Sequence, residues 1–303
     1  MSLPPIGRFS NKWSGPSKLP NFPALCQTFR DLESWTWRRI DSANRCGVCF
    51  GEETITESLL LGLAENHKTQ LKIKAYTKLE EGKGTKATGN MPTGADWSFW
   101  IVDSNGQGVE LRIQAKRQFS SGKYENLDGS GKQIADLWSN KGIAIPLYVL
   151  YNGPFVINSS GGKWSNFKCK ASCEKKFRGQ SCWGCSFVSL NEIPPKSAPY
   201  PTEIGNMHPW HCLVCKCGHS NDGNHSLAKK ICSAANSAYK SGRSPRRAEF
   251  SGPDVFFEPH RTPPNWVSFL TDEGVGNERL NEFWMQTDLK GVAIIEELNE
   301  DDR

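Results

Sequence analysis

The chain has no apolar run long enough to cross a membrane, and its first residues do not form a charged segment followed by an apolar one. It also has no internal repeat and no long low-complexity segment. Its net charge is only +5 over 303 residues, which is too small to identify a nucleic-acid partner by itself. We therefore expect a globular, cytoplasmic protein with no membrane partner, in which local basic clusters matter more than the total charge.

Cysteine is abundant, with 11 residues. In a reducing compartment, closely spaced cysteine pairs near histidines favour zinc over disulfides. Two cysteine pairs complete a tetrahedral Cys₄ zinc site. A third cysteine pair could combine with either of the first two, so a second arrangement is equally open, and ligands remain for a second zinc. A cysteine at the start of a core strand, as Cys185 would be, is the alternative for that residue. The candidate zinc ligands are Cys169, Cys173, Cys182, Cys185, Cys212 and Cys215.

The central feature is a predicted β-hairpin. Its first arm, residues 97–102, is rich in aromatic and β-branched residues, and its second arm, residues 109–115, alternates between apolar and polar residues. The Asn-Gly dipeptide at 105–106 favours a two-residue turn. Such a turn places Asp96 opposite about Ala115, with a residue or two of slack.

Polar side chains gather at the open end of this hairpin. Gln114 and Lys116 lie two residues apart and share one face of the strand, whereas Ile113 and Ala115 point into the opposite layer. Asp96, Gln114 and Lys116 are therefore expected to meet. A carboxylate, an amide oxygen and an ammonium suit a divalent metal and the water it activates. The alternative is an ordinary surface strand with alternating polar residues.

Two adjacent acids precede a predicted helix. Thr54 followed by Glu57 fits a capping box, so we expect Glu57 to cap that helix. Glu52 and Glu53 then lie just before the cap, where the helix N-terminus stabilises an acid and where either acid could face a metal held by the hairpin. A solvated pair of acids is the other interpretation.

The predicted elements follow the order helix, strand, hairpin, helix and strand, which indicates an α/β fold with a mixed sheet flanked by helices. A strand at residues 185–190 is a candidate for returning to this sheet. Residues 240–247 form a basic loop suited to phosphate contacts or to a solvated linker. The other predicted elements are helices at 25–43, 52–67, 131–138 and 226–239 and strands at 70–77, 144–151 and 291–298.

Four features of the chain resemble the PD-(D/E)XK restriction-endonuclease-like superfamily. They are this order of elements, an acid near the first helix, an aspartate that opens the second strand, and Gln-Ala-Lys-Arg at the end of the third strand. Residues 114–117 are most similar to its Mrr-like branch, in which glutamine replaces the second acid. The resemblance implies that Asp96, Gln114 and Glu53 hold Mg²⁺ or Mn²⁺, with Glu52 as the second choice for the helix acid. It also implies that Lys116 orients or activates the attacking water. Trp97 departs from the family, which has small residues after the aspartate.

The function implied is that of a metal-dependent endonuclease that hydrolyses phosphodiester bonds, with DNA as the expected partner. Restriction or defence against invading phage DNA is the implied setting, and a homo-oligomer is compatible with the sequence. The runner-up is a non-catalytic, zinc-containing nucleic-acid-binding or adaptor protein on the same scaffold. The division expected is an N-terminal arm and helix (1–45), a nuclease-like core (46–152), a Cys/His-rich zinc-binding insertion or subdomain that contains the returning strand (153–232), and a C-terminal segment packed on the core (233–303).

Overall fold

The computed structural model describes residues 22–67, 71–77, 94–127, 131–139, 144–164, 179–215, 226–240, 256–271, 283, 287 and 289–298. Several predictions lie outside these residues. They concern most of the N-terminal arm, Cys169, Cys173 and nearly all of the basic loop at 240–247. In the part of the chain that is described, no helix is long and apolar enough to span a membrane.

A mixed sheet of seven strands forms the centre of the molecule. The helices are α1 (Phe22–Arg45), α2 (Glu52–His67), α3 (Lys132–Ser139), α4 (Leu227–Lys240) and α5 (Asn265–Thr271). The strands are β1 (Leu71–Thr77), β2 (Trp97–Val102), β3 (Gly108–Arg117), β4 (Ala144–Tyr151), β5 (Cys185–Ser189), β6 (His208–Pro209) and β7 (Gly291–Glu297). The predicted α/β class, the element order and the helix-flanked mixed sheet are confirmed.

The strand order is β1-β7-β2-β3-β4-β5-β6. Strands β2 and β7 run parallel, as do β3 and β4, and the other neighbours are antiparallel. The returning strand is confirmed as β5, which pairs with β4. The position of β7 was not predicted: this strand lies between β1 and β2, far along the chain from both.

Each face of the sheet is covered by its own apolar layer. Helices α1, α2 and α4 bury their apolar stripes on one face, together with Ile113 and Ala115 of β3. Helices α3 and α5 cover the other face, where Ile134 and Trp266 are buried. Because neighbouring strand residues alternate between faces, Gln114 belongs to the α3 side of β3. This separation of Gln114 from Ile113 and Ala115 agrees with the predicted pattern.

The hairpin turn differs by one residue from the prediction. The Asp103 N–H donates to the Gln107 carbonyl at 2.8 Å, so the loop contains three residues, with Gly106 at a φ of +71°. The Asp103 carboxylate Oδ1 accepts the N–H groups of Asn105 and Gln107 at 2.9 and 3.0 Å, which favours this longer loop. Trp97 consequently pairs with Ile113, within the slack of a residue or two that the sequence allows.

The range predicted for α2 is confirmed, but the capping box predicted for its start is wrong. The helix begins at Glu52, and the Ile55 N–H already donates to the Gly51 carbonyl at 3.1 Å. Thr54 therefore lies inside the helix and does not cap it, and Glu57 has no capping role. Both Glu52 and Glu53 occupy the first turn, where their charge is favourable to the helix dipole.

Candidate functional site

Asp96 is held by the strands on both sides of β2. Its N–H donates to the Ile113 carbonyl at 2.8 Å, and its own carbonyl accepts the N–H groups of Lys290 and Gly291 at 2.6 and 3.2 Å. The residue is only 8% exposed. The backbone at the start of β2 is therefore fixed by β3 on one side and by the start of β7 on the other.

The Asp96 carboxylate is oriented by a chain of hydrogen bonds. Its Oδ2 atom accepts the Ala115 N–H at 3.0 Å and a side-chain N–H of Gln114. The Gln114 carbonyl oxygen in turn accepts a side-chain N–H of Gln133, on α3. As predicted, Asp96 and Gln114 meet. The Gln114 amide oxygen, which was expected to help hold a metal, is bonded to Gln133 instead, and Gln114 acts on Asp96 through its amide nitrogen.

Trp97 fits beside Asp96 because it faces the other layer. Its side chain is 1% exposed and belongs to the α1–α2–α4 side of the sheet. A Cβ atom on Gly291 would overlap the ring of Trp97, so glycine at that position gives the ring its space. The bulky Trp97 side chain therefore lies on the opposite face of β2 from the Asp96 carboxylate.

Glu53 and Asp96 contact the same cation, the ammonium of Lys290. The Lys290 Nζ atom lies 3.0 Å from Asp96 Oδ1 and 3.2 Å from Glu53 Oε1. Partial burial lowers the pKa of Lys290, but the two carboxylates outweigh this effect and the pKa is raised. Sequence reasoning missed Lys290. Its only signal was its place directly before the predicted final strand.

Glu52 has a different partner from Glu53. Its Oε1 atom accepts the Arg117 N–H at 3.0 Å, and the Arg117 guanidinium donates to the Phe50 carbonyl at 3.0 Å. Glu52 thus joins the first turn of α2 to the end of β3. Of the two acids left open by the sequence, Glu53 is the one that reaches the cation beside Asp96.

Lys116 is half-buried and lies two residues after Gln114, on the same face of β3. Among the described residues its ammonium forms no hydrogen bond and no salt bridge. The structure therefore places Lys116 at the expected end of the strand but does not bring it into bonding contact with Asp96.

Tyr151 is the last residue of β4 and lies on the face of the sheet that α1, α2 and α4 cover. Its hydroxyl is hydrogen-bonded to the Thr56 hydroxyl at 2.6 Å. Burial raises the pKa of Tyr151, and the neighbouring Cys185, Asp96 and Glu52 raise it further, so the phenol stays protonated.

The zinc candidates inside the described residues have other contacts. Cys215 is disulfide-bonded to Cys26, and Cys182 donates to the Gly179 carbonyl at 2.6 Å. Cys185 is a fully buried core residue that donates to the Thr36 hydroxyl, which is the alternative left open for it. Cys212 is buried on the α1 side of the sheet. In the described ranges no three His, Cys, Asp or Glu side chains form a metal-binding group. Zinc remains a prediction that depends on Cys169 and Cys173.

A family model matches residues 25–301, nearly the whole chain. The chain belongs to this family, DUF6615, a family of unknown function. No curated protein and no solved structure matches it. The range matched to DUF6615 includes Glu53, Asp96, Gln114, Lys116 and Lys290, so the whole candidate site lies inside the family's own extent.

Proposed function

We propose that this DUF6615 protein is a Mg²⁺-dependent nuclease that hydrolyses phosphodiester bonds, with DNA as the expected substrate. The observation that carries the proposal is the contact of Asp96 and Glu53 with one cation, next to the strand end that bears Gln114 and Lys116. Two carboxylates that share a cation position form the kind of oxygen-rich site in which Mg²⁺ is bound, with waters and substrate phosphate completing its coordination.

The chemistry of the donors fits Mg²⁺. Asp96 Oδ1 and Glu53 Oε1 are hard oxygen donors, and both already contact a positively charged group. Glu53 is 55% exposed at its side chain, so its carboxylate is free to move closer to a smaller cation. Asp96 and Glu53 would hold the metal, which would lower the pKa of a bound water and offset charge on the phosphate.

The other residues act on the two acids or on the substrate. Gln114 holds the Asp96 carboxylate through its amide nitrogen, and the Ala115 N–H holds the same oxygen. Lys116 extends from the same face of β3, where an ammonium would orient the attacking water and offset charge developing on the phosphate. Glu52 fixes the end of β3 through the Arg117 N–H.

The succession α2, β1, β2–β3, α3 and β4 supports a restriction-endonuclease-like fold, because it follows the order expected of the PD-(D/E)XK superfamily. Parallel pairing of β3 with β4 is the arrangement that a helical crossover such as α3 produces. Strand β7 would be an addition to that core. The residue directly before it, Lys290, supplies the cation that contacts both acids.

A surface of arginine and aromatic side chains near the first turn of α2 supports nucleic acid as the substrate. We call it the arginine–aromatic surface; it consists of Trp35, Arg39, Phe50, Arg117 and Phe119. The Arg39 guanidinium lies 5.6 Å from the ring centre of Trp35, and that of Arg117 lies 4.7 Å from Phe119. The Trp35 and Phe50 ring centres are 6.0 Å apart. Cations interleaved with rings suit phosphates and bases.

Replacing Lys116 with alanine is expected to reduce cleavage about a hundredfold or more while the protein stays folded, because a proton-handling or phosphate-facing group would be lost. The assay compares wild-type and Lys116→Ala protein on plasmid, linear DNA and RNA in Mg²⁺ or Mn²⁺. Lys74→Ala is a matched control, since Lys74 is also a half-buried strand lysine but lies on β1. Its cleavage should equal that of the wild type.

Unchanged cleavage by Lys116→Ala would contradict the assigned role. Wild-type protein that binds nucleic acid but cleaves none of the substrates with either metal would instead favour the non-catalytic, nucleic-acid-binding alternative.

Replacing Arg39 with alanine is expected to weaken DNA binding about five- to tenfold and to reduce the salt dependence by about one phosphate contact. Fluorescence anisotropy with labelled oligonucleotides at several salt concentrations measures both quantities. Arg261→Ala is the matched control, because it removes the same charge at a different place. Arg261 follows His260, which forms a β-bridge with Gly108 at the hairpin end of β3. Equal effects of the two changes would show that binding follows total charge and does not use the arginine–aromatic surface.

A further inference from the structure

The ammonium of Lys290 occupies the position between the two acids of the candidate site. It lies 3.0 Å from Asp96 Oδ1 and 3.2 Å from Glu53 Oε1, the same two oxygens that would bind Mg²⁺. Two cations cannot both take that position, because their mutual repulsion at such short range exceeds what partial exposure to water screens. Binding of Mg²⁺ there requires the ammonium to leave.

The backbone of Lys290 is fixed, whereas its side chain is not. The N–H groups of Lys290 and Gly291 donate to the Asp96 carbonyl, and Gly291 packs so closely on the Trp97 ring that a Cβ atom there would overlap it. The Lys290 side chain is 42% exposed, and its four-carbon stem has several rotatable bonds. The ammonium can therefore move into solvent while the backbone keeps it tethered beside the site.

We propose that Lys290 is an intramolecular competitor of Mg²⁺ for Asp96 and Glu53, and that it sets the metal concentration at which the protein becomes loaded. This inference rests on the proposed function, because it assumes that these two acids bind the metal. Mg²⁺ can bind only those molecules in which the ammonium has left the site. A tethered competitor therefore lowers the apparent affinity for the metal in proportion to the fraction of molecules that it blocks. Removing its charge should therefore tighten metal binding without adding any ligand.

The test measures metal binding directly, with no substrate present. Mn²⁺ is titrated into wild-type and Lys290→Met protein, and free Mn²⁺ is followed by electron paramagnetic resonance. The dissociation constant is expected to fall about tenfold in Lys290→Met. Lys290→Arg keeps the positive charge and should stay near the wild-type value. Lys196→Met is the matched control, since Lys196 also forms an exposed ion pair, with Glu203, and its loss should change nothing.

Thermal unfolding provides a second measurement on the same proteins. Without Lys290, Asp96 and Glu53 lack their shared positive partner, so added Mg²⁺ should raise the melting temperature more in Lys290→Met than in the wild type. The metal-free melting curves also show whether each variant is folded. If Lys290→Met does not fold, Lys290→Gln takes its place and carries the same expectation.

The two hypotheses fail in different ways. If the wild type binds Mn²⁺ and the neutral variants bind it equally or more weakly, the competitor role of Lys290 is overturned and the metal site survives. If none of the proteins binds Mn²⁺ at millimolar concentration, both the metal site and the competitor role are wrong. Tighter binding in Lys196→Met as well would show a general charge effect and would also overturn the proposal.

Discussion

Replacing Asp96 with asparagine is expected to reduce metal-dependent cleavage at least about a thousandfold. The charge that would hold the metal is lost, yet the remaining oxygen can still accept the Ala115 N–H, so the strand end keeps its structure. Asparagine also offers no counter-charge to Lys290. Cleavage of plasmid DNA in Mg²⁺, together with a denaturation curve for each protein, measures activity and folding separately.

Asp103→Asn is a control at the other end of β2. Asp103 is a buried aspartate directly after β2, at the opposite end from Asp96, and its carboxylate accepts two backbone N–H groups of the hairpin loop. The same chemical change there should lower the free energy of unfolding by about 1 kcal/mol and leave cleavage intact. Full activity of Asp96→Asn, or equal loss in both variants, would contradict a specific role for Asp96.

Replacing Gly184 with alanine is expected to lower the free energy of unfolding by about 3 kcal/mol or more. Gly184 has ordinary helical dihedral angles, φ −55° and ψ −31°, so alanine causes no backbone strain there. Its added Cβ atom would overlap the carbonyl oxygen of Glu33 and lie 3.0 Å from the Trp37 nitrogen, both on α1. The cost therefore comes from helix packing alone.

Helix α1 has little freedom to move away from such a clash. The Glu33 carboxylate is fully buried and is bonded to the His211 N–H at 2.7 Å and to its Nδ1 atom at 2.9 Å. A shift of α1 would stretch these bonds in an environment without water to replace them.

Gly179→Ala is the matched control for urea denaturation. A Cβ atom at Gly179 meets only the Ser181 hydroxyl oxygen, at an ordinary 3.6 Å, so the change should stay within about 0.5 kcal/mol. If Gly184→Ala were as stable as Gly179→Ala, the close packing of this turn on α1 would be wrong.

The parts of the fold that local patterns determine were predictable. Strand β4 follows from its continuous apolar run, and the register of β2 with β3 follows from alternation and the Asn-Gly turn to within one residue. The contact of Asp96 with Gln114 could therefore be predicted from the amino-acid sequence. The cap of α2 could not be predicted, because acids in the first turn and threonine as a cap are both favourable at a helix N-terminus, and Glu52, Glu53 and Thr54 fit both patterns.

Pairings between distant segments were not predictable. Nothing in Gly291–Glu297 indicates that it separates β1 from β2, since an apolar strand fits any gap in a sheet. Lys290 directly precedes this strand and was missed for that reason. The Cys26–Cys215 disulfide joins residues 189 positions apart, and spacing alone gave Cys215 a different role.

The position of β7 has a consequence for synthesis of the chain. On the ribosome, Glu53 and Asp96 emerge long before Gly291–Glu297, so a nascent chain holds β1 and β2 as unpaired edges until the last strand arrives. Asp96 then lacks the backbone donors of Lys290 and Gly291 that fix the start of β2. For a protein proposed to cut DNA, this order of assembly means that the candidate site is completed only after the last strand has been synthesised.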